Sequence, residues 1–377
     1  MFPFGHGLQI KILLAGLITS NHSLAIALTR PSFGRLSVAS GSPTLTMSSA
    51  GDSGNLFGCK WHRSMIRVKD PIASVKYYEE LYGMHLVDFF HFPELSRSNY
   101  YLASLRKGED WPIAGSEEAH KRLFNMDRSC IELQHTHGAE ADKDLKYSSG
   151  NEEPNRGFGH LAFLTDNVYA ASEALEKAGV GFKKRPDEGR MKGIAFVYDP
   201  DGYWIELVQR NEAAGHPEEY NLGQTMLRVK DINKSLNFYT GPGGLGMSKV
   251  CEKHFSDFSL YFLQSLTPEE RATLPPPQSA EAYARMGCSW APVLELTHNH
   301  GTEDNPDFKY HDGNSDPEGF GHIGFIVNDI EGAAKALRDR SSEELPEPGM
   351  PAGRILRFRD PDGYHVQLAA LGTNLEA

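Results

Sequence analysis

Cysteine is scarce in this chain of 377 residues: only Cys59, Cys130, Cys251 and Cys288 occur, and no two form a Cys-x-x-Cys pair. That scarcity excludes a disulfide framework and suits a reducing compartment, so all four thiols are expected to be free and buried. Long apolar runs are missing as well. The run Ile12 to Ile18 is too short to span a bilayer, since a spanning helix needs about 20 apolar residues. Positive charge is in deficit, with a formal net charge of -12. A phosphate backbone would be repelled by most of such a surface, which argues against non-specific nucleic-acid binding, although an anionic small molecule can still use a local basic pocket. Acidic residues are themselves absent from positions 1–50, which carry Lys11, Arg30 and Arg35 and turn Ser- and Thr-rich after the apolar run. This stretch reads as a cleaved targeting leader, a bipartite plastid address first and a mitochondrial presequence second; a start at Met47 would yield a cytosolic form.

What is present describes a water-soluble globular chain, 40% hydrophobic and 23% charged, with a length that suggests two domains, each with its own core. The chain repeats itself. Met65-Ile-Arg-Val-Lys-Asp70 returns as Met226-Leu-Arg-Val-Lys-Asp231, Gly157-Phe-Gly-His160 as Gly319-Phe-Gly-His322, and Asp199-Pro-Asp-Gly-Tyr203 as Asp360-Pro-Asp-Gly-Tyr364. The near-constant offset implies a tandem duplication: a first repeat over 60–210, a linker over 211–221 and a second repeat over 222–370.

Each repeat divides into two units that open with a strand, pass through a helix and close with strands. Asp70 caps a helix with Pro71 in its first turn and Gly83 beyond its end; Val168 to Ala178 forms another, ended by Gly179. Asp-Pro-Asp-Gly places proline and glycine where a tight turn wants them. An α+β fold of four βαβββ modules follows, over roughly 60–135, 156–210, 222–298 and 318–370, joined by the polar loops 138–155 and 301–317.

Strand alternation singles out three polar residues. Glu206 shares a strand face with Trp204 and Val208 and points into whatever cup the curved sheet forms. His160 lies opposite Leu161 and Phe163, and Glu295 opposite Leu294 and Leu296. A mid-strand carboxylate among large apolar neighbours is costly unless paired or metal-bound. With Gln224, placed just before a strand, these residues supply one nitrogen and three oxygens.

On the runs Val293-Leu-Glu-Leu-Thr-His-Asn299, His311-Asp-Gly-Asn-Ser-Asp316, Gly319-Phe-Gly-His-Ile323, Met191-Lys-Gly193 and Asp199-Pro-Asp-Gly-Tyr-Trp-Ile-Glu206, the chain resembles the glyoxalase I family of the vicinal-oxygen-chelate superfamily, over residues 60–370. The fused arrangement is similar to the single-chain, two-repeat members found in fungi and protists. The resemblance implies modules paired into two curved-sheet, barrel-like units. One module of a pair contributes a Gln or His and a Glu to a divalent metal, and its partner contributes a His and a Glu. Modules two and three together hold the complete set His160, Glu206, Gln224 and Glu295. Modules one and four hold Arg63, Glu132, His322 and Gln367, a vestigial set, because an arginine has no lone pair to give and Gln367 is not a carboxylate. His62, one residue off register, is expected on the other face. Family positions for binding glutathione map onto Arg156, Lys184, Met191, Arg228 and Asn299. The second site keeps Arg67 but has Thr136 in place of the Asn, Glu318 in place of the Arg, and no basic residue over 341–349.

The implied reaction isomerises the hemithioacetal of glutathione and methylglyoxal to S-lactoylglutathione through a metal-stabilised enediolate, with Glu206 as the main base and Glu295 as the second participant. Zinc is the expected ion, nickel or cobalt the alternatives, and the chain is expected to act as a monomer, binding a small-molecule substrate and neither nucleic acid nor membrane. Two other readings stay open: an iron-dependent extradiol dioxygenase of the same fold, against which a single His per site counts, and a non-catalytic metal- or thiol-binding module.

Overall fold

The computed structural model describes residues 55–347 and 349–375; the leader expected over 1–50 lies outside them. Module one runs β1 (Lys60–Arg67), α1 (Pro71–Tyr82), β2 (His85–Phe92), β3 (Arg97–Ala103), α2 (Glu117–Leu123) and β4 (Cys130–Thr136). Module two runs β5 (Phe158–Thr165), α3 (Val168–Lys177), β6 (Phe182–Lys184), β7 (Ala195–Tyr198) and β8 (Trp204–Gln209). Module three comprises β9 (Tyr220–Val229), α4 (Ile232–Thr240), β10 (Ser248–His254), β11 (Phe258–Gln264), α5 (Pro268–Ala272), α6 (Ala280–Cys288) and β12 (Val293–Asn299). Module four comprises β13 (Phe320–Val327), α7 (Ile330–Asp339), β14 (Glu344–Leu345), β15 (Ile355–Arg359) and β16 (His365–Ala370).

Local chemistry sets these limits. The Asp70 carboxylate accepts from the backbone N–H groups of Ile72 and Ala73, Pro71 occupies the first turn, and Gly83 stops α1 in the left-handed conformation at φ 61°. Asp231 caps α4 in the same way through Asn233 and Lys234. Both Asp-Pro-Asp-Gly turns need their glycines, since Gly202 and Gly363 sit at φ 89° and 94°. Gln224, expected just before a strand, lies inside β9, where the ten-residue run is buried throughout and so extends beyond the half-buried alternation.

The strands form two mixed sheets, ordered β14-β15-β16-β13-β1-β4-β3-β2 and β10-β11-β12-β9-β5-β8-β7-β6. Module one therefore shares a sheet with module four, and module two with module three. Because each sheet draws on both repeats, residues 54–377 form one compact unit and not one unit per repeat. Repeat equivalents meet between the sheets: Ser64 and Thr225 share a hydroxyl hydrogen bond of 2.8 Å, and Phe158 stacks on Phe320 at 4.9 Å. A continuous apolar core fills this space, from Cys59 to Leu368. All four cysteines are free; Cys59, Cys130 and Cys251 are buried, whereas Cys288, at the end of α6, is partly exposed and not buried as expected. Among the described residues no helix is long and apolar enough to cross a membrane.

Candidate metal centre and substrate cup

In the sheet of modules two and three, the four central strands β12, β9, β5 and β8 each carry one of the four candidate ligands, Glu295, Gln224, His160 and Glu206 in turn. The register sets them in two adjacent rows. Gln224 faces Ala162, which faces Glu206; one step along the same face, Glu295 faces Met226, which faces His160. Ala162, unremarked in the sequence, is the small floor over which the flanking side chains converge. The ligand atoms of His160, Glu206 and Glu295 lie within 4.8 Å of one another, and all three residues are buried. His160 Nε2 is 3.2 Å from Glu206 Oε2 and 3.7 Å from Glu295 Oε2.

Gln224 closes the cluster. Its Nε2 donates to Glu206 Oε2 at 2.7 Å and to Glu295 Oε2 at 2.8 Å, and lies 3.1 Å from His160 Nε2. Two buried carboxylates need positive charge. Burial alone would lower the His160 pKa, but the Glu206 and Glu295 carboxylates raise it to about 9. A divalent cation answers the same need: the set offers an imidazole nitrogen, two carboxylates and, with the amide turned about its last torsion, the Gln224 oxygen. The donors present thus fit a divalent ion. Thr297 steadies one of them, its hydroxyl donating to Glu295 Oε1 at 3.1 Å.

Arg228, Arg156 and Asn299 gather at one rim of the cup. Arg228 is buried, its Nη1 donating to the carbonyls of Gly150, Gly157 and Phe158 and its Nη2 to Asn151 Oδ1. Burial and then the neighbouring Arg156 lower its pKa, while the Arg156 guanidinium pairs with the exposed Glu153 at 3.2 Å. Asn299 Nδ2 donates to the Tyr310 hydroxyl at 2.7 Å, and the charges of Arg228 and Arg156 reach that phenol. Tyr310 escaped the sequence reading because its counterpart Tyr147 is also a tyrosine, so comparison of the repeats marks neither. Lys184 closes the rim of module two, its Nζ donating to the Ile194 carbonyl at 2.6 Å and standing within the field of Glu206. Met191 is exposed on the following loop, which the Arg190–Asp257 ion pair at 3.2 Å ties to module three. Among the described residues the Lys184 ammonium bonds the carbonyls of Arg185 and Ile194 and not the arginine group.

Arg63, Glu132, His322 and Gln367 converge on the other sheet. Arg63 Nε donates to Glu132 Oε2 at 2.8 Å, a second guanidinium nitrogen donates to Gln367 Oε1, and His322 Nε2 is 3.3 Å from Glu132 Oε2. His62, expected on the opposite face, reaches back to Arg63 Nη1 at 3.0 Å, the strand being irregular between Trp61 and Arg63. At this rim Arg67 repeats the carbonyl contacts of Arg228 but also meets a carboxylate, Glu318, at 3.4 Å. The Arg-for-Glu exchange at 156 and 318 thus sets a second cation beside Arg228 at one cup and a carboxylate against Arg67 at the other.

Paired βαβββ modules with a His and two carboxylates on the face of a shared sheet define a class, and the chain belongs to it: residues 60–207 and 221–368 match the Glyoxalase/Bleomycin resistance protein/Dioxygenase superfamily. Among its relatives, glyoxalase I of Saccharomyces cerevisiae is 36% identical over 319 residues, covering 82% of this chain and 92% of the relative. The lactoylglutathione lyase of Schizosaccharomyces pombe is 36% identical over 316 residues, covering 82% and 95%. The crystal structure of glyoxalase I from Zea mays superposes with a TM-score of 0.58 at 26% identity, covering 83% of this chain and 92% of that one.

Proposed function

We infer that the chain is a lactoylglutathione lyase that converts the hemithioacetal of glutathione and methylglyoxal to S-lactoylglutathione, with one working centre built by His160, Glu206, Gln224 and Glu295. The convergence of His160, Glu206 and Glu295 from three strands of two repeats carries this reading, and the names of relatives spanning most of the chain supply the reaction. A divalent ion held there, zinc in preference to nickel or cobalt, would polarise the two substrate oxygens and so acidify the C–H beside the carbonyl.

The protein's own groups do the rest. The hemithioacetal carbon loses a proton to Glu206, the neighbouring carbon regains one, and the hydroxy-carbonyl pair becomes a hydroxy thioester with no net gain or loss of atoms. Glu295, on the strand beyond β9, faces Glu206 across the cluster and serves the opposite face of the substrate. Arg156 and Arg228 supply positive charge for the glutathione carboxylates, Asn299 and Lys184 further donors, and Met191 an apolar contact at the rim. The dioxygenase reading lacks its second imidazole, since among the described residues the cluster holds one histidine, His160.

The test is turnover after chelation. Metal-stripped protein given glutathione and methylglyoxal is expected to form no thioester above the uncatalysed rate, and re-added zinc, nickel or cobalt to restore it; undiminished activity in the stripped protein would reject the proposal.

A further inference from the structure

The second sheet repeats the two rows of the first with different occupants. Arg63 faces Gly324, which faces Gln367, and one step along Glu132 faces Met65, which faces His322. Three differences separate this set from Gln224, Ala162 and Glu206, and they are coupled by charge and volume.

Charge comes first. The first centre offers two carboxylates to a divalent ion; here one carboxylate, Glu132, is bonded by the Arg63 guanidinium and feels Arg97 as well, the position of the second carboxylate holds the neutral Gln367, and Arg357 in the same pocket is paired with Glu347 at 2.5 Å. Arg63 has its acceptors at hand, Glu132 by Nε, Gln367 by one terminal nitrogen and His62 Nδ1 by the other, and it is only 1% exposed. Volume follows. An arginine is longer than a glutamine, and a Cβ on Gly324 would stand 2.7 Å from both Cγ and Cζ of Arg63, closer than real Cβ contacts come. At the matching place beneath Gln224 stands Ala162. The pocket walls have changed in step: Asn99 donates to Glu132 Oε1 at 2.6 Å where the first cup has Leu260, and Arg357 faces Gln367 where Phe196 faces Glu206.

We propose that the Arg63 guanidinium is a built-in replacement for the divalent cation, seated over Gly324, which balances the one remaining carboxylate and closes this sheet to metal. The site is latent: Gln at 63, Ala at 324 and Glu at 367 reopen it. This inference rests on the reading that the first centre holds an ion. A metal-free half also keeps its charge balance when the ion is withdrawn from the other half.

The test is zinc content per full-length chain, measured by elemental mass spectrometry after loading and desalting. The wild type is expected to hold one ion and the R63Q/G324A/Q367E chain two. One ion in both, with native far-ultraviolet dichroism in both, overturns the proposal and leaves the first centre intact. No ion in the wild type overturns both readings. Should the triple variant not fold, thermal midpoints decide: G324A alone is expected to lower the midpoint, and to lower it less in an R63Q chain. An equal fall in the two backgrounds overturns the seating of the guanidinium over Gly324.

Discussion

At the scale of single residues, Glu132 shows how a buried carboxylate is kept charged by protein groups. Burial alone would raise its pKa; His322 and Arg63 instead bring it down to about 2. Burial lowers the pKa of His322 itself against the opposing pull of Glu132, whereas Arg63, with Arg97 lining the same pocket, stays charged in either state of that histidine. A carboxyl whose folded pKa lies below its unfolded value of 4.5 adds stability that is complete above 4.5 and drains away as the pH falls towards 2. A displacement of that size is worth roughly 3 kcal/mol. Denaturant unfolding at stepped pH should therefore show the advantage of wild type over E132Q shrinking by about that amount across this window; parallel curves would mean that Glu132 is not the buried anion described. The sequence made Glu132 visible as a carboxylate among apolar residues but concealed its surroundings, because Asn99 and Arg63 approach from strands 33 and 69 residues away.

The elements explain why two short motifs recur. Met-Ile-Arg-Val-Lys-Asp and Asp-Pro-Asp-Gly-Tyr stand far apart in each repeat, yet they dock: Tyr78 donates to Asp199 Oδ2 at 2.9 Å, Tyr203 to the Arg67 carbonyl at 3.1 Å, and the Lys69 N–H to Asp201 Oδ1 at 3.0 Å. The second repeat reproduces this with Tyr239 on Asp360, Tyr364 on Arg228 and Lys230 on Asp362. Sheets join modules across repeats while these turns join modules within one, and the two kinds of link lock the chain. A buried hydrogen bond to a charged group contributes about 1.5–3 kcal/mol. Y78F and D199N are each expected to cost about 1–3 kcal/mol in denaturant unfolding, and the double variant less than their sum; strict additivity would remove the turn from this role. Helix limits were legible from Asp70, Pro71 and Gly83 because caps act locally. The burial of Arg228 was not, since nothing near Met226–Asp231 tells that the loop at 150–157 folds over it.

For the whole molecule, cross-repeat pairing turns the two repeats into two polar clusters of different make-up, one with a histidine and two carboxylates and one with an arginine in their midst. The two repeats supply His160 and Glu206 from the first and Gln224 and Glu295 from the second, so either repeat alone carries half a site. The convergence of His160, Glu206 and Glu295 was legible because polar residues in apolar strands stand out, and the repeat offsets expose Arg63 and Gln367 as exceptions. Gly324 and Ala162 were not, since a small residue in a strand shows no chemistry until the register is known. Turnover and bound metal measured side by side for Glu206→Gln and Glu132→Gln decide which sheet carries the working centre. E206Q is expected to lose at least about 100-fold in kcat and most of its metal while E132Q keeps both near wild type; equal losses in the two variants would mean that the sheet of modules two and three is not the sole working centre.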